Sequence, residues 1–581
     1  MSHAEILTNT ELAHRFRRLA DLLEIRGDPV FKVIAYRRAA DSLAQQPESA
    51  RALKERGELG AIPGVGKAIA QKIEDLFDTG TFKLWEEVVR EIPPGVADLL
   101  QIPDVGPKRA RQLYAELGVK GLDSLREAVE QGRLSEVSGL GSRGAQRIVE
   151  GLRSLQPPSA LIPLGTAHPL ALSLLAELEV QAGGLAHSSP AGGVRRRCEA
   201  VSDVAFVVAH SRPDSILSLL STLPTVAEVE PTGERAAAAR LHTGARVTLT
   251  VCEPRSFGAV LHHWTGSREY ITRLAAFASE RGYELTEFGL TSGGELETFE
   301  DERALYERLG MQYVPPTMRE DADMVDAAAA GEVPVEIEVS MLHGDLHSHS
   351  TWSDGQHTIR EMAKAARARG YEYLCVTDHS QSLGVANGLS PERLAAQRVE
   401  IEAVNQELAP FRLLQGVELE VRGDGSLDLP DETLAALDIV VASVHTGLRQ
   451  ERDRLTSRAL SAIRSPYVDV LAHPTGRIVG GRAGGDFDMD ALIAEAARTG
   501  TILEINSDPA RLDLRDTHAH QALVAGCTLS IDSDAHTTDG LGNVWYGADV
   551  ASRARATVGA IHNALTLTEM LAGLKRHRLR N

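Results

Sequence analysis

Seven short apolar runs recur in the last part of the chain, and most of them are separated by stretches with helical patterning. The runs cover residues 342–349, 373–379, 412–418, 438–445, 468–473, 501–506 and 528–536. Apolar strands that alternate with helices predict a parallel sheet, and seven of them favour a βα barrel. Six runs end on His or Glu, or continue into Asp-x-His. Because a parallel barrel carries its active site at this carboxyl edge, these polar residues are candidates for one site.

The polar residues at the strand ends have the composition of a metal cluster. The pair His347 and His349 lies on one strand face, because side chains alternate along a strand. The other candidates are Asp354, His379, Glu418, His445, His473, Asp534 and His536. Any single histidine here could be an ordinary polar residue, but nine potential ligands at one rim favour two or three ions. Mixed nitrogen and oxygen donors fit Zn²⁺, Mn²⁺ or Fe²⁺ better than Ca²⁺ or Mg²⁺.

A metal cluster of this kind is suited to phosphoester hydrolysis. One ion lowers the pKa of a bound water, and the others polarise the phosphoryl oxygens and stabilise the leaving oxygen. The glycine-rich loop 480–485 follows His473, and Arg477 and Arg482 lie in or beside it. These arginines are candidates for contacts with substrate phosphates. The alternative is that the loop is only a mobile rim segment.

The charge distribution separates the two ends of the chain. The net charge of the 581 residues is −20, but residues 1–155 carry 23 basic and 23 acidic side chains. The acidity is concentrated in the C-terminal part, where it can hold cations, and the neutral N-terminal part can still bind nucleic acid. The chain has no long apolar run, and its four cysteines show no CxxC spacing. We therefore expect a cytoplasmic protein without a membrane partner.

A short segment repeats three times in the helical N-terminal region. The copies cover residues 62–70, 102–110 and 137–145 and share a hydrophobic-x-Gly/Asp-hydrophobic-Gly core followed by a helix. A glycine turn at a helix N-terminus presents free N–H groups to phosphates, so DNA binding without base reading is predicted. The predicted contacts are Gly64, Gly66, Lys67, Gly106, Lys108, Gly139, Gly141 and Arg143, with Arg109 beside them. The repeats resemble helix-hairpin-helix motifs, although Asp104 departs from the first copy. Hairpins that only pack are the alternative.

Two changes of texture divide the rest of the chain. From residue 156 short β-rich runs alternate with helices in an α+β pattern. Residues 317–340 are polar or alanine-rich with scattered acids and are predicted to be a linker.

The segment 342–581 resembles the polymerase and histidinol phosphatase (PHP) domain. All nine candidate ligands match the ligand pattern of that family, from His347 to His536. The resemblance implies a distorted (β/α)₇ barrel with three metal ions, Mn²⁺ or Zn²⁺ or both. Asp378 and Asn506 are then expected to orient ligands rather than bind metal.

The whole chain resembles the bacterial X-family DNA polymerases that carry a C-terminal PHP domain. The resemblance implies a small helical domain with the first hairpin (1–80), a helical domain with the other two (81–155), a nucleotidyltransferase-like palm (156–255), a thumb-like domain (256–316), a linker (317–340) and the barrel (341–581). The motifs 31–40, 192–197, 256–258, 265–267 and 313–316 carry it. Lys72 stands where lyase-active members keep a Schiff-base lysine, but it also suits a solvated helix position.

The palm departs from its family at the catalytic carboxylates. Such a palm holds two Mg²⁺ ions with three aspartates, and here Asp203 is retained while Ala205 and Thr248 stand at the other two positions. Glu253 lies five residues past Thr248, on the opposite strand face, and Gly193 replaces a phosphate-binding serine. Nucleotide or primer-end contacts are still implied, and a weak Mg²⁺ site is retained in this prediction. The residues implied for those contacts are Arg195, Arg196, Thr265 and Gly266.

Three functions follow from these residues. The first is a DNA repair enzyme, a metal-dependent 3′–5′ exonuclease or 3′-phosphoesterase on gapped or 3′-ended DNA, with a largely disabled palm. The second is a gap-filling polymerase that uses dNTPs with residual metal binding at Asp203. The third is a non-catalytic DNA-end-binding protein, or a small-molecule phosphatase with a vestigial N-terminal half.

Overall fold

The structure is a computed structural model that describes residues 9–46, 50–102, 105–154, 161–241 and 243–575. The chain divides into two compact units. The first comprises residues 1–160 together with 224–228 and 240–245, and the second comprises 161–223, 229–239 and 246–581.

The first unit is helical between residues 9 and 154. Its helices are α1 (Asn9–Arg26), α2 (Val30–Gln45), α3 (Ala50–Glu55), α4 (Lys67–Thr79), α5 (Lys83–Glu91), α6 (Pro107–Leu117), α7 (Leu122–Glu130) and α8 (Ser142–Ser154). Phe16 stacks between Tyr36 and Phe82, with ring centroids 6.0 and 5.9 Å away. One apolar core, which contains these rings, joins the predicted hairpins.

The second unit begins with an α+β domain. Its elements are β1 (Ile162–Pro163), α9 (Leu164–Ala182), β2 (His187–Pro190), α10 (Gly192–Arg195), β3 (Ala200–Val201), β4 (Val204–Ala209), α11 (Pro213–Leu220), β5 (Val226–Gly233), β6 (Ala236–Leu241) and β7 (Arg246–Cys252). Five strands form a sheet of order β2-β4-β7-β6-β5. β4 and β7 are parallel, and their register places Ala205 opposite Thr248.

A smaller domain with an antiparallel sheet follows. Its elements are α12 (Phe257–Thr265), α13 (Arg268–Ser279), β8 (Glu284–Thr286), β9 (Gly289–Ser292), β10 (Glu295–Glu297), α14 (Glu302–Leu309) and α15 (Met324–Ala330). Residues 317–340 are not a linker here. Met318, Met324 and Val325 lie in the apolar core of this domain, and the fully buried Arg319 donates to Glu302 over 2.6 Å. The alanine-rich part of this segment forms the amphipathic helix α15, whose small residues pack closely against α13. Its composition alone did not indicate a packed helix.

The C-terminal domain alternates parallel strands with helices. Its elements are β11 (Gly344–Ser348), α16 (Ile359–Ala368), β12 (Tyr373–Val376), α17 (Pro391–Leu408), β13 (Arg412–Gln415), β14 (Glu418–Glu420), α18 (Asp431–Ala436), β15 (Val441–Ser443), α19 (Arg452–Arg464), β16 (Val470–Leu471), α20 (Met489–Thr499), β17 (Ile502–Asn506), α21 (Asp516–Val524), β18 (Leu529–Asp532), α22 (Val544–Arg553) and α23 (Leu567–Gly573). Each predicted apolar run contains one of these strands, and the third contains β13 and the start of β14.

The strands of this domain pair in chain order. They form the runs β11-β12-β13 and β14-β15-β16-β17-β18, and every pair is parallel. Isolated parallel bridges join Ser348 to Ala535 and His379 to Glu418, so the two runs are connected at both ends. The carboxyl ends of the strands therefore lie along one edge.

Within the described ranges, no helix combines the length and the apolar character needed to cross a membrane.

Candidate functional site

The nine predicted ligands come together around one carboxylate, that of Glu418 on β14. Its Oε1 atom lies 2.9 Å from His473 Nε2 and 3.1 Å from His445 Nε2, and its Oε2 atom lies 2.9 Å from His379 Nδ1. His347 Nε2 is 3.4 Å from the same Oε2. The Glu418 side chain is only 1% exposed, so the centre of the cluster is shielded from solvent.

Three overlapping groups of side chains have the spacing of metal sites. One contains His347, His349, Glu418 and Asp534, the second contains His349, Asp354, His379 and His536, and the third contains His379, Glu418 and His445. Within each group, one donor atom from each residue lies within 4.8 Å of the others. The groups share His349, His379 and Glu418. The overlap suits a centre of more than one ion, because the two oxygens of a carboxylate such as Glu418 could each bind a different ion.

Several buried donor atoms in the cluster lack a hydrogen-bond partner. They are His347 Nε2, His349 Nδ1 and His473 Nδ1. An unsatisfied buried polar atom is costly, and buried polar groups are nearly always paired. Imidazole nitrogens and carboxylate oxygens that point into one dry space are the donors that Zn²⁺ and Mn²⁺ prefer. The residues therefore fit a metal centre.

The surroundings shift the pKa values of the imidazoles in the metal-free cluster in opposite directions. Burial opposes protonation of His379, but Glu418 and Asp354 outweigh it and raise its pKa to about 10. Burial also opposes protonation of His445, but the Glu418 carboxylate outweighs this effect and raises the pKa of His445 to about 9. Burial, together with the charges of neighbouring histidines, lowers the pKa of His349 to about 3. His349 is therefore neutral at pH 7, and its lone pair is free for a ligand.

The cluster is open to solvent on one side. The side chains of Asp354 and His536 are 36% and 37% exposed, and His536 Nε2 lies 3.4 Å from Asp354 Oδ1. The turn that carries Asp354 is held by Asp378, whose carboxylate accepts hydrogen bonds from Ser350 and Ser353. Asp378, predicted as an orienting residue, thus contacts the turn that carries Asp354.

Glu504 on β17 is a further residue of the site that the sequence analysis missed. Its Oε1 atom lies 2.6 Å from His347 Nδ1, and its Oε2 atom accepts from the His473 backbone N–H over 2.6 Å. Asn506, the second predicted orienting residue, donates to Glu504 over 3.2 Å and to Asp534 over 3.0 Å. The sequence signal for Glu504 was a carboxylate in the middle of a short strand whose other residues, except Asn506, are apolar; the whole strand is buried.

We expect Glu504→Gln to weaken Mn²⁺ binding and DNA hydrolysis by about 10- to 100-fold, the usual effect of losing a partner of a metal-ligating histidine. Glutamine can accept from only one of the two donors, His347 or the His473 N–H, because its amide nitrogen is itself a donor. Calorimetric Mn²⁺ titration and a nuclease assay measure both effects. Glu402→Gln, on the exposed face of α17, is the matched control. Equal Mn²⁺ affinity in the two variants would contradict this role.

The arginines at the rim are arranged differently from the expectation. Arg477 is not free for substrate, because its side chain is 6% exposed and donates to Glu199 over 2.7 Å. Arg482 donates to the carbonyl of Gly476 over 2.7 Å. Arg511, which the sequence analysis did not select, is the arginine beside the cluster, with its Nε atom 3.5 Å from Asp534 Oδ2. Composition of the loop could not show which arginine faces inward.

The palm-like sheet brings one carboxylate to the predicted polymerase site. Thr248 Oγ1 donates to Asp203 Oδ2 over 3.0 Å, and Ala205 lies opposite Thr248 in the β4–β7 register. Glu253 is engaged elsewhere, 2.8 Å from Arg255 Nε. The side chains at the two altered positions thus adjoin Asp203 without supplying another carboxylate.

The predicted nucleotide contacts already have partners within the protein. Arg195 forms a two-pronged ion pair with Glu302, at 2.9 and 2.6 Å, and also donates to Thr265 Oγ1. Arg196 donates to Glu320 and to the Thr265 carbonyl, each over 2.6 Å. Thr265 is fully buried, and the backbone N–H of Gly266 donates to His262. These contacts differ from the expected open phosphate site, so a nucleotide would have to displace Glu320.

The hairpin turns have the geometry expected for anion binding. Gly64 and Gly139 adopt φ of 77° and 70°, in the left-handed region that favours glycine. Helices α4 and α6 begin directly after Gly66 and Gly106, with no side chain capping their first N–H groups. Lys67 and Lys108 lie in the first turn of these helices, and both side chains are exposed.

The sequence also singled out Gly141, Asp104, Arg143 and Lys72 in this region. Gly141 is exposed just before α8, whereas Asp104 and the Arg143 side chain lie outside the described residues. The Lys72 ammonium donates to the Ala68 carbonyl over 2.8 Å. Burial, with the nearby charge of Lys32, lowers the pKa of Lys72.

Family models match four parts of the chain. They are a helix-hairpin-helix domain over residues 7–82, a SAM-like helix-hairpin-helix tandem over 96–154, a DNA polymerase beta thumb over 260–320 and a PHP domain over 345–504. The predicted presence of helix-hairpin-helix, thumb and PHP domains is thereby confirmed.

A relative from Bacillus subtilis (strain 168), named DNA polymerase/3′-5′ exonuclease PolX, is 37% identical over 567 residues, which cover 96% of this chain and 98% of the relative. The chain belongs to the PolX family. Shorter relatives match about a third of the chain. A probable phosphatase of Thermoanaerobacter sp. (strain X514) is 29% identical over 38% of the chain and 89% of the relative, and one of Photobacterium profundum is 30% identical over 34% and 80%.

Proposed function

We propose that this PolX-family chain is a metal-dependent 3′–5′ exonuclease or 3′-phosphoesterase that acts on DNA ends. The observation that carries the proposal is the buried ligand cluster around Glu418, with its unpaired donor atoms. The Bacillus subtilis relative is named as a DNA polymerase and 3′-5′ exonuclease. The parallel strand order and the bridges of the C-terminal domain support the distorted (β/α)₇ barrel that presents such a cluster at one edge.

The residues of the cluster divide the work of hydrolysis. Bound Mn²⁺ or Zn²⁺ ions would supply an activated water and Lewis-acid stabilisation of the phosphoryl oxygens. Glu418 and Asp534 hold the buried part of the centre, while Asp354 and His536 form its solvent-exposed corner. The 3′ end of DNA enters at this corner, because the other ligands are buried except His445, whose side chain is only 17% exposed. Arg511 lies beside Asp534 and adds a positive charge at the anionic wall of the site.

Template-directed polymerisation is the second candidate function. Two observations favour it: the Bacillus subtilis relative is named as a DNA polymerase, and a DNA polymerase beta thumb model matches residues 260–320. Two observations disfavour efficient catalysis: a single carboxylate stands at the palm site, and the Arg196 guanidinium is paired with Glu320. The palm is proposed to be largely disabled, with any nucleotide binding weak. A small-molecule phosphatase is less well supported, because the phosphatase relatives match only about a third of the chain, which also carries two helix-hairpin-helix regions.

One assay separates these functions. The protein is mixed with 5′-labelled primed, gapped or 3′-phosphorylated DNA and Mn²⁺, with and without dNTPs. We expect shortening of the labelled strand, or loss of its terminal phosphate, whether or not nucleotides are present. Extension that requires dNTPs would favour the polymerase. Unchanged DNA together with hydrolysis of p-nitrophenyl phosphate would favour the small-molecule phosphatase.

The hairpins are proposed to hold the DNA by its phosphates. We expect Lys67→Glu with Lys108→Glu to weaken binding to all DNA sequences to a similar degree. The salt dependence of the affinity should fall by about one unit of slope for each lost phosphate contact. Fluorescence anisotropy at several salt concentrations measures both quantities.

The control for the charge change is Lys83→Glu, because the Lys83 side chain is 91% exposed and lies outside the glycine turns. An equal loss of affinity in that control would point to net charge rather than hairpin contacts. Different losses for different duplex sequences would contradict phosphate recognition.

A further inference from the structure

The palm-like domain and the C-terminal domain share an ion pair at Glu199. This carboxylate accepts from Arg477 Nη1 over 2.7 Å and from Arg515 Nη2 over 3.1 Å. Glu199 lies four residues before Asp203, on the segment that follows the palm arginines. Both of its partners belong to loops at the carboxyl edge of the C-terminal strands. Glu199 therefore connects the palm to the rim of the metal cluster.

Arg477 passes this contact on to the backbone beside the cluster. Its Nε atom donates to the Arg511 carbonyl over 3.0 Å, and its Nη2 atom donates to the Leu512 carbonyl. The guanidinium is thus fixed at one end by Glu199 and at the other by consecutive peptide groups. A planar, fully engaged guanidinium holds its partners in a defined geometry, which a lysine could not do.

The segment that Arg477 holds carries a residue of the site. Arg511 Nε lies 3.5 Å from Asp534 Oδ2, so the position of its side chain follows that of the 507–515 loop. Leu512 adopts φ of 46° in this loop, and His473 and Asp534 adopt φ of 26° and 53°. Non-glycine residues in this region persist only where the surrounding structure restrains them.

Close packing adds to the restraint. A Cβ on Gly165, at the start of α9, would lie only 2.6 Å from Pro509 Cβ, so the helix and the loop touch at van der Waals distance. Leu164, beside it, is 1% exposed within the apolar core of the C-terminal domain. Pro163 lies against Gly480, where an added Cβ would be 3.2 Å away. The palm thus contacts both loops that flank the Glu199 ion pair.

We propose that Glu199 is a positioning residue for phosphoester hydrolysis, which acts through Arg477 on the loop that carries Arg511. The inference rests on the proposed function of the C-terminal site. It also gives the palm a role that does not depend on polymerase carboxylates: the palm supports the nuclease rim. Glu199 itself does not touch the cluster, so its replacement changes the placement of Arg511 and not the ligand set.

The test is Glu199→Gln in the full chain. Glutamine keeps the volume but has one acceptor and one donor group, so it cannot accept from both arginines as the carboxylate does. We expect kcat for Mn²⁺-dependent shortening of single-stranded DNA to fall about 10-fold, while KM and the number of bound Mn²⁺ ions stay the same. Hydrogen–deuterium exchange of the peptide 507–515 should become faster. A merely structural role would not single out this peptide.

The matched control is Asp323→Asn, which removes one of the two carboxylates, Asp321 and Asp323, that pair with Arg555 of the C-terminal domain. Asp323 lies 2.7 and 3.0 Å from Arg555, and neither residue is a predicted ligand or part of the 507–515 loop. We expect this variant to keep the wild-type kcat and the wild-type exchange of 507–515. Equal losses in both variants would mean general loosening between the domains and would overturn the inference.

A double-mutant comparison tests the route through Arg511. If Glu199 acts through that side chain, Glu199→Gln should lower kcat much less in an Arg511→Lys background than in the wild type. Additive losses would overturn this route. Wild-type kcat and exchange in Glu199→Gln would overturn the inference and leave the proposed function intact. If the wild-type protein does not hydrolyse DNA, the proposed function fails, and the exchange of 507–515 still decides whether Glu199 holds the loop.

Discussion

Glu418→Gln is expected to lower Mn²⁺-dependent DNA hydrolysis by more than about 100-fold and to reduce the number of bound ions. Loss of a mere partner of a ligand already costs about 10- to 100-fold, and Glu418 contributes directly to two of the three ligand groups. The carboxamide also places an N–H donor among imidazoles, where His379, His445 and His473 now meet carboxylate oxygens. Metal analysis of the purified protein and a single-turnover nuclease assay measure the two effects.

DNA affinity should stay unchanged in this variant, because the predicted phosphate contacts lie on the hairpins of the other unit. The Glu402→Gln variant, on the exposed face of α17, should match the wild type in both metal content and rate. A full complement of two or three ions in Glu418→Gln, with normal hydrolysis, would contradict the assignment of the cluster. Loss of DNA binding without loss of metal would place the effect elsewhere.

The ligand cluster could be predicted from sequence because strand geometry is local. His347 and His349 share a face through a period of two, and parallel strands bring their carboxyl ends to one edge whatever lies between them. All nine predicted ligands lie at that edge around Glu418. Which nitrogen of each imidazole faces the centre depends on partners such as Glu504, and no local pattern identifies them.

The missed residues depend on contacts between distant segments. Arg477 and Arg511 are both arginines in polar loops, and only the position of Glu199, 278 residues before Arg477, decides which one is withdrawn from the site. The segment 317–340 looked like a linker because its composition is polar. Its apolar residues, including Met324 and Val325, become a core only against helices and strands that precede them in the chain.

The sequence predicted the altered residues of the palm site one by one. The register of β4 and β7 shows how these residues are arranged relative to each other. Ala205 and Thr248 stand at the positions where the polymerase family has two catalytic aspartates, and the β4–β7 pairing places these residues opposite each other. The engagement of Arg196 by Glu320 could not be read from sequence, since the two are 124 residues apart. We expect both features to weaken nucleotide addition, and only the first can be reversed by restoring carboxylates.

Restoring both carboxylates, Ala205→Asp with Thr248→Asp, is expected to raise nucleotide incorporation by roughly 10³-fold over the unmodified protein. Two-metal phosphoryl transfer needs carboxylates that bridge the ions and offset their mutual repulsion, so one remaining aspartate supports little catalysis. The register supports this design, because Thr248 Oγ1 already contacts Asp203 Oδ2 at 3.0 Å. The rate of extending a gapped, 5′-labelled primer with Mg²⁺ and dNTPs measures the effect.

The single restorations provide the controls, because either one alone leaves the two metal ions incompletely bridged and should gain far less than the double variant. The gain should also disappear when Asp203→Ala is added, since all three carboxylates act together. The Arg196–Glu320 pair limits the outcome, because a triphosphate must compete with that carboxylate for the guanidinium. Glu320→Gln in the restored background should therefore lower KM for the nucleotide more than it raises kcat. Vigorous template-directed extension by the unmodified protein, abolished by Asp203→Ala, would instead show that one carboxylate suffices and that this chain is an active polymerase.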